Sequence, residues 1–440
     1  MSTAATRTTG PGQLWSVTEH LEDILATVRP LEPIELQLLD AQGCVLVEDV
    51  TVPVSLPPFD NSSMDGYAVR VADVAGASEE FPAVLTVIGD VAAGQAEQPH
   101  VGPGEAARIM TGAPLPPGAE AVVPVEWTDG GLGEGPVSGM RARSANPEGA
   151  TGQVAVHRSA EARAHVRAKG SDVQAGERAL AAGTILGPPQ LGLLAAIGRA
   201  SVRVRPRPRV VVLSTGSELI PPGQTPATGQ IYDSNSFALT AAARDAGAIA
   251  YRVGAVADDA ETLRSTIEDQ LVRADMVVTT GGVSVGAYDV VKEALESVGD
   301  EDEEGAGIDF RKLAMQPGKP QGFGTIGPDH TPLLALPGNP VSSYVSFEIF
   351  VRPAIRTLAG LTDVHRPTTT ATLRAPKALT SPAGRRQYLR GTYADGEVTP
   401  VGGAGSHLVA ALAHADALIV IPEGTESVEP GTEVEVVLLG

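Results

Sequence analysis

The chain has 440 residues, 42% apolar and 19% charged, with 50 glycines and 35 prolines; this length supplies two to four domains and a large core, and excludes a small stapled scaffold. A net charge of −21 repels phosphate backbones and anionic lipid, and no basic run interleaved with aromatics offsets it, so no nucleic acid and no membrane partner is expected. Cys44 is the single cysteine, residues 1–13 lack the apolar core of a signal peptide, and no run reaches the ~18 apolar residues of a membrane span, which together suit a cytoplasmic protein.

In chain order, residues 14–51 predict a helix with Leu21, Ile24, Leu25 and Val28 at helical spacing, ended by Pro30 and Pro33 and followed by a strand. Residues 52–154 change to short apolar runs (AVLTVIGDV, AARIM, AEAVVPVEW) separated by Gly and Pro, a β module with a loop-like tail. Residues 155–206 return to a helix-containing segment. Residues 207–362 alternate strands (RVVVLSTG, YRVGAV, DMVVTTGG, LLALPG) with helices after Ser234, at AETLRSTIEDQLVRA, at DVVKEALESVG and from Pro340 onward. Leu263, Ile267 and Leu271 give the second of these helices one apolar face. Such alternation specifies a parallel, doubly wound α/β domain, in which ligands bind at the carboxyl ends of the strands. Residues 363–440 revert to short strands that predict a closing β-barrel or sandwich. The fold class is therefore α/β plus β.

Four constellations carry candidate chemistry. In PPFDNSSMDGYAVR, Asp60 and Asp65 crowd a Pro-flanked loop with amide and hydroxyl groups, which suits a divalent cation or a polar ligand and equally suits an Asx-rich turn. The loops after the α/β strands carry Ser214, Thr215, Gly216 and Glu218, then Asp233, Ser234 and Asn235, then Gly281, Gly282 and Ser284 with Asp289 beyond. Glycines and hydroxyls between a strand and a helix offer N–H groups to an anion, although the loops match neither GxxxxGK[ST] nor GxGxxG. Glu218, Asp233 and Asp289 should converge there, and beside a phosphate they would require a cation such as Mg²⁺; singly, Ser234 also reads as an N-cap and Asp289 as a first-turn acid. The third set is Lys319 between two prolines, followed by Pro337, Gly338, Asn339, Pro340 and Ser342 of LPGNPVSS, a cationic partner for an oxyanion or a tight hairpin. The fourth is Arg385, Arg386 and Arg390, with His407 nearby in sequence, either an edge strand with snorkelling arginines or a site for phosphate or acid recognition. No HExxH or GxSxG pattern supports a hydrolase.

Taken together, PPFDNSSMDGYAVR, GEAARIMTGAPLPPGAEAVVPVE, STGSEL, IYDSNS, TTGGVSVGAYD, QPGKP and LPGNPVSS resemble, in order, the molybdopterin molybdotransferases, called MoeA in bacteria and represented in animals by the gephyrin E-domain. The resemblance implies an elongated multidomain chain: a discontinuous α+β domain (14–51 and 155–206), a β module (52–154), a MogA-like α/β molybdopterin-binding domain (207–362) and a C-terminal β domain (363–440). It implies a transferase that inserts molybdate into adenylylated molybdopterin, with Mg²⁺-dependent release of AMP. It implies a homodimer whose cleft is shared between subunits, with a molybdopterin adenylyltransferase and recipient molybdoenzymes as candidate partners. Asp60, Asp65, Thr111 of IMTGAP, Asp172 of KGSDVQAG, Asp289 and Lys319 match catalytic positions, and Glu218, Asp233 and Asp289 the metal-associated acidic rim. Arg386 is the cation expected to assist Lys319, because Gln316 stands where many relatives have lysine; Ser63 in FDNSSMDG replaces the usual alanine. A catalytically impaired scaffold and a tungstate-preferring homologue are the alternative readings.

Overall fold

A computed structural model describes residues 14–94, 98–133, 135–140, 152–282, 291, 294 and 307–440. The described chain divides into two compact units: one comprises Glu48–Ala182 with Gly187–Ser201, and the other the residues up to Val47, Gly183–Leu186 and Val202–Gly440.

In the larger unit, the run Val210-Val211-Val212-Leu213 sends alternate side chains to opposite faces of a sheet. Val210 and Val212 join one apolar layer with Leu239, Met276, Leu334 and Val345; Val211 and Leu213 join another with Leu263, Ile267, Val277 and Leu333. Burial on both faces is what selects β-branched residues throughout and requires helices above and below. The strands Arg209–Thr215, Ile249–Val256, Met276–Thr280 and Thr331–Leu336 are mutually parallel as expected. The sheet then continues beyond the sequence expectation: Pro320–Ile326 and Gly307–Lys312 add two antiparallel strands, giving six. Glycines hid them, yet Gly324 is required there, since an added Cβ would lie 1.9 Å from the Gly307 carbonyl oxygen.

Helix Asn235–Asp245 packs on the first layer and helix Ala260–Leu271 on the second. The latter starts where Asp259 accepts from the Thr262 N–H at 2.8 Å, a side-chain N-cap. The predicted helix DVVKEALESVG lies almost entirely outside the described residues. From Pro340 the chain is helical to Leu358, but Phe347–Val351 is a π segment between two α segments, which turns Glu348 into the interior.

The C-terminal strands close on themselves. Their order is Arg386–Ala394, Glu397–Pro400, Thr368–Leu373, Glu433–Leu438 and Ala417–Ile421, and the last pairs back to the first, so no edge is left in the barrel. Met315–Gln316 adds in parallel to the start of the first strand.

Helix Val17–Thr27 is set by a capping box in which Glu19 N–H donates to Ser16 Oγ and Ser16 N–H to Glu19 Oε2, both at 3.0 Å. It buries Val17, His20 and Ile24, so a histidine occupies the position between them on the apolar face. His20 is 1% exposed, edge-on to Phe350 with ring centroids 4.8 Å apart. Burial, helped by the Arg311 charge, lowers its pKa from 6.5 to about 3. The unfolded chain therefore takes up this proton first, and stability present above about pH 6.5 is lost progressively as pH falls towards 3. His20→Gln is expected to flatten that acid limb by on the order of several kcal/mol. Urea unfolding of both proteins from pH 7 to 4 reads it, and a wild type minus variant difference that does not change with pH would reject it.

The smaller unit is built on a five-stranded sheet ordered Ala121–Pro124, Gly66–Val69, Glu105–Ile109, Ala83–Val91 and Gly152–Val156. Only the pair Ala83–Val91 and Glu105–Ile109 is parallel. Among the described residues, no helix is long and apolar enough to cross a membrane.

Candidate functional site

The larger unit has a cavity of about 670 Å³ lined by three strand ends and the loops that follow them: Thr215, Gly216 and Glu218; Thr280, Gly281 and Gly282; Pro337, Gly338, Asn339 and Pro340. Its place follows from topology. Strand Arg209–Thr215 lies between Ile249–Val256, which follows it in the sheet's chain order, and Met276–Thr280, which crosses to its other side. The chain thus leaves adjacent parallel strands in opposite directions, opening a crevice at their carboxyl ends.

Glycine makes the crevice fit together. Gly281 has φ +100°, and a Cβ there would stand 2.4 Å from the Thr215 carbonyl oxygen; Gly282 has φ +63°, and its Cβ would strike Val291 at 2.4 Å. These glycines serve close approach. The Gly216 N–H donates to the Val256 carbonyl and the Gly281 N–H to the Leu336 carbonyl, each at 3.1 Å, so these two are committed to the strand ends, contrary to an open N–H cradle. The Thr215 hydroxyl is different: its Oγ1 is buried under Gly281 and Gly282 and has no hydrogen-bond partner among the described residues. A buried hydroxyl in this position lies behind the cavity wall, under the two glycines, where a water could satisfy it.

Asn235 fixes the loops to one another. Its Nδ2 donates to Thr280 Oγ1 at 3.1 Å and to the Gly338 carbonyl at 2.8 Å, while Thr280 Oγ1 also reaches Ser343 Oγ at 2.9 Å. Asp233, 2% exposed, performs the corresponding task at the first strand. Its Oδ1 accepts from Ser214 Oγ at 2.8 Å and from Ser236 N–H at 3.1 Å, and its Oδ2 accepts from the Ser236 hydroxyl. Arg252 Nη1 stands 3.8 Å from Oδ2. Asp233 therefore anchors the start of the helix through three hydrogen bonds while lining the cavity. Ser234 precedes the helix without a side-chain cap bond.

Of the expected residues, Thr215, Gly216, Glu218, Asp233, Ser234, Asn235, Gly281, Gly282, Pro337, Gly338, Asn339 and Pro340 do come together around this cavity. Ser214 is buried behind them on Asp233, and Ser342 is buried in helix Pro340–Ser346. Pro320 lines the cavity, whereas the half-buried Lys319 before it does not. Arg386 also lies elsewhere, pairing with Glu423 at 3.1 Å and lining a separate cavity with Glu348 and Arg366. It is Arg385 whose Nη1 reaches Gln316 Oε1, at 3.4 Å. Ser284 and Asp289 lie outside the described residues. Among the described residues no three His, Cys, Asp or Glu side chains gather as a metal-ligand set; of the expected acidic rim these residues include Glu218 and Asp233, both on the cavity, while Asp289 lies outside them.

Leu219, Ile231, Tyr232, Asp258, His407 and Val409 complete the wall; His407 belongs to the fourth constellation, and the others carry no role assigned from sequence. Asp258 had one signal, its place just after strand Ile249–Val256 on the ligand-binding edge. It accepts from Ser217 N–H at 3.0 Å, and Ser217 Oγ accepts from Asp258 N–H at 3.1 Å. His407 arrives from the barrel through the Val341 N–H bond to the Ser406 carbonyl, 3.0 Å, a pairing with no local sequence signature. It is the single basic side chain among the described lining residues.

In the smaller unit, three loops tied by hydrogen bonds carry the other expected residues. Arg163 Nη1 donates to Asp60 Oδ2 at 2.5 Å and Lys169 N–H to Oδ1 at 2.7 Å. The Arg163 hydrogen bond is the main reason that the Asp60 carboxyl is held below its ordinary 3.8. Arg163 and His165 both take positive φ, +66° and +53°, backbone strain concentrated beside this acid. Thr111 donates through N–H (2.7 Å) and Oγ1 (2.8 Å) to Asp65 Oδ1. Asp172 is exposed, with its N–H on the Leu56 carbonyl at 3.0 Å.

Three family descriptions match the chain in succession: MoeA N-terminal region (domain I and II) over residues 15–198, probable molybdopterin binding domain over 211–357, and MoeA C-terminal region (domain IV) over 372–439. Molybdopterin molybdenumtransferase 2 of Mycobacterium tuberculosis is 45% identical over 425 residues, covering 96% of this chain and 98% of that protein. Molybdopterin molybdenumtransferase 1 of the same organism is 41% identical over 448 residues, covering 96% and 99%. The crystal structure of a molybdopterin biosynthesis MoeA protein from Pyrococcus horikosii superposes with a TM-score of 0.72 at 32% identity, covering 97% of this chain and all of that one.

Proposed function

Because the chain belongs to the MoeA family of molybdopterin molybdenumtransferases, we propose that it inserts molybdate into adenylylated molybdopterin in the last part of molybdenum cofactor biosynthesis, releasing AMP. The observation that carries this reading is the cavity at the topological switch point, formed by the loops after three parallel strands and with a volume that suits a substrate of this size.

The residues divide the work by chemistry. The amino end of helix Asn235–Asp245 contributes a positive dipole for a phosphate or another oxyanion. Glu218 and Asp258 are acceptors for heterocycle N–H groups. The interlocked loops hold these groups still, so that orientation rather than a protein nucleophile supplies the rate, while the substrate's own dithiolene sulfurs take the metal. His407 aside, the described lining residues are neutral or acidic, so a polyanionic substrate requires a companion cation. Mg²⁺ enters this reading as the companion of the phosphoanhydride, with Glu218 and Asp233 the described carboxylates of the expected set that line the cavity and would hold it. A homodimer with a shared cleft, a cytoplasmic location, and exchange with an adenylyltransferase and recipient molybdoenzymes belong to the same proposal.

The test is AMP release from adenylylated molybdopterin with Mg²⁺, with and without molybdate. Molybdate-dependent release is expected. Release that is absent from folded protein, or indifferent to molybdate, would reject the assignment.

A further inference from the structure

The cavity has one wall that anion chemistry does not explain. Ile231 and Tyr232 form a short strand paired in parallel with Leu219–Ile220, and both line the cavity while 56% and 46% exposed. Exposed apolar side chains are ordinary on a surface; here the aromatic one is also immobilised. The Asp233 N–H donates to the Ile220 carbonyl and the Ile231 N–H to the Glu218 carbonyl, each at 2.9 Å, which fixes the backbone on either side of Tyr232. Its hydroxyl donates to the Gln224 carbonyl at 2.8 Å, which fixes the far end of the ring. With both ends tied the hydroxyl proton is committed, and what the side chain adds to the cavity wall is chiefly its ring. An aromatic held in this way loses little entropy when a flat ring stacks on it. Glu218, whose carbonyl belongs to the same pairing, lines the cavity alongside it and supplies an acceptor for ring N–H groups.

We propose that Tyr232 is the stacking platform for a planar nitrogen heterocycle of the substrate, its pterin or its adenine. The proposal deepens the functional reading above and rests on it for the identity of the rings. As a specificity-determining residue, Tyr232 would favour flat heterocycles over other anionic phosphates at the same site.

The experiment titrates metal-free molybdopterin and AMP separately against wild type, Tyr232→Ala, Tyr232→Leu and Tyr232→Phe, reading Kd directly. Because Tyr232 is half exposed, alanine is expected to leave the fold intact, and leucine controls for lost apolar bulk. Tyr232→Ala and Tyr232→Leu should weaken one or both ligands by about 5- to 150-fold, the range that base–aromatic stacking gives on truncation, while Tyr232→Phe stays within about threefold of wild type because the ring remains. The ligand that weakens identifies the heterocycle. Unchanged Kd for both ligands in Tyr232→Ala, a loss in Tyr232→Phe as large as in Tyr232→Ala, or a wild type that binds neither ring would each overturn the platform. Failure of the assigned reaction is separate: wild type that binds a ring through Tyr232 yet releases no AMP keeps the platform and removes the reaction.

Discussion

Asp233→Ala is expected to cost about 3–5 kcal/mol of stability and to remove activity with it. The side chain is 2% exposed, and its removal strands the Ser214 hydroxyl, the Ser236 N–H and the Ser236 hydroxyl in the interior, with Arg252 left facing them. Each stranded buried donor costs about 1–3 kcal/mol, and relaxation recovers part of the sum. The loss reaches function because helix Asn235–Asp245 starts two residues on, and Asn235 joins Thr280 to Gly338 across the cavity. Asp233→Asn keeps one acceptor oxygen and should cost roughly 1–2 kcal/mol. Urea unfolding and turnover on the same preparations decide the matter. A residue that was a metal ligand alone would lose activity at unchanged stability, with recovery at raised Mg²⁺; an acid that anchors the helix loses both.

Glu348→Ala is expected to destabilise by a similar amount, about 3–5 kcal/mol, through a different cause. The Glu348 side chain is fully buried and accepts from Arg366 Nε at 2.8 Å and Nη2 at 3.3 Å. Arg366 Nη2 and Arg352 Nη1 both contact Asp245 Oδ2, at 2.8 and 2.9 Å. Truncating the glutamate leaves the buried Arg366 guanidinium with the half-exposed Asp245 as its remaining carboxylate. Breaking such a pair from one side is costly, whereas replacing both charges with apolar groups can be close to neutral. The double change Glu348→Leu with Arg366→Leu should therefore recover much of the loss, giving a coupling energy in the cycle of about 1 to 3 kcal/mol. Additive losses in the double variant would reject the pair as a unit.

The doubly wound core was legible because its signal is local and periodic. A run such as RVVVLSTG, alternating with helices, buries both faces as a parallel strand, and Leu263 and Ile267 mark the helix that covers one of them. The cavity was legible for a related reason, since strand-end loops in such a sheet converge whatever their residues. What stayed hidden depends on long-range pairing. Pro320–Ile326 stayed hidden because Gly322 and Gly324 fit close backbone approach rather than propensity, and Gly307–Lys312 because its pairing is with that strand. Tyr232 and His407 reach the cavity through the short pairing with Leu219–Ile220 and through the Val341 contact to the barrel loop. Asp233 shows the limit of residue type alone: an acid before a helix reads equally as a ligand or a cap, and only its hydrogen bonds show that it anchors the helix. Glu348 shows another, because in FEIFV a lone charge reads as solvent-facing, and only the π segment and Arg366 explain its burial.

The measurement that bears most directly on the central claim is reconstitution. Purified protein is supplied with adenylylated molybdopterin, Mg²⁺ and molybdate, and the product is transferred to a cofactor-free molybdenum enzyme whose activity and bound molybdenum are then determined. The account predicts activation that requires both molybdate and this protein, with AMP and inserted molybdenum appearing in equal amounts. AMP released without an activating, molybdenum-containing product would contradict it, leaving an anhydride-cleaving protein rather than a molybdenum transferase.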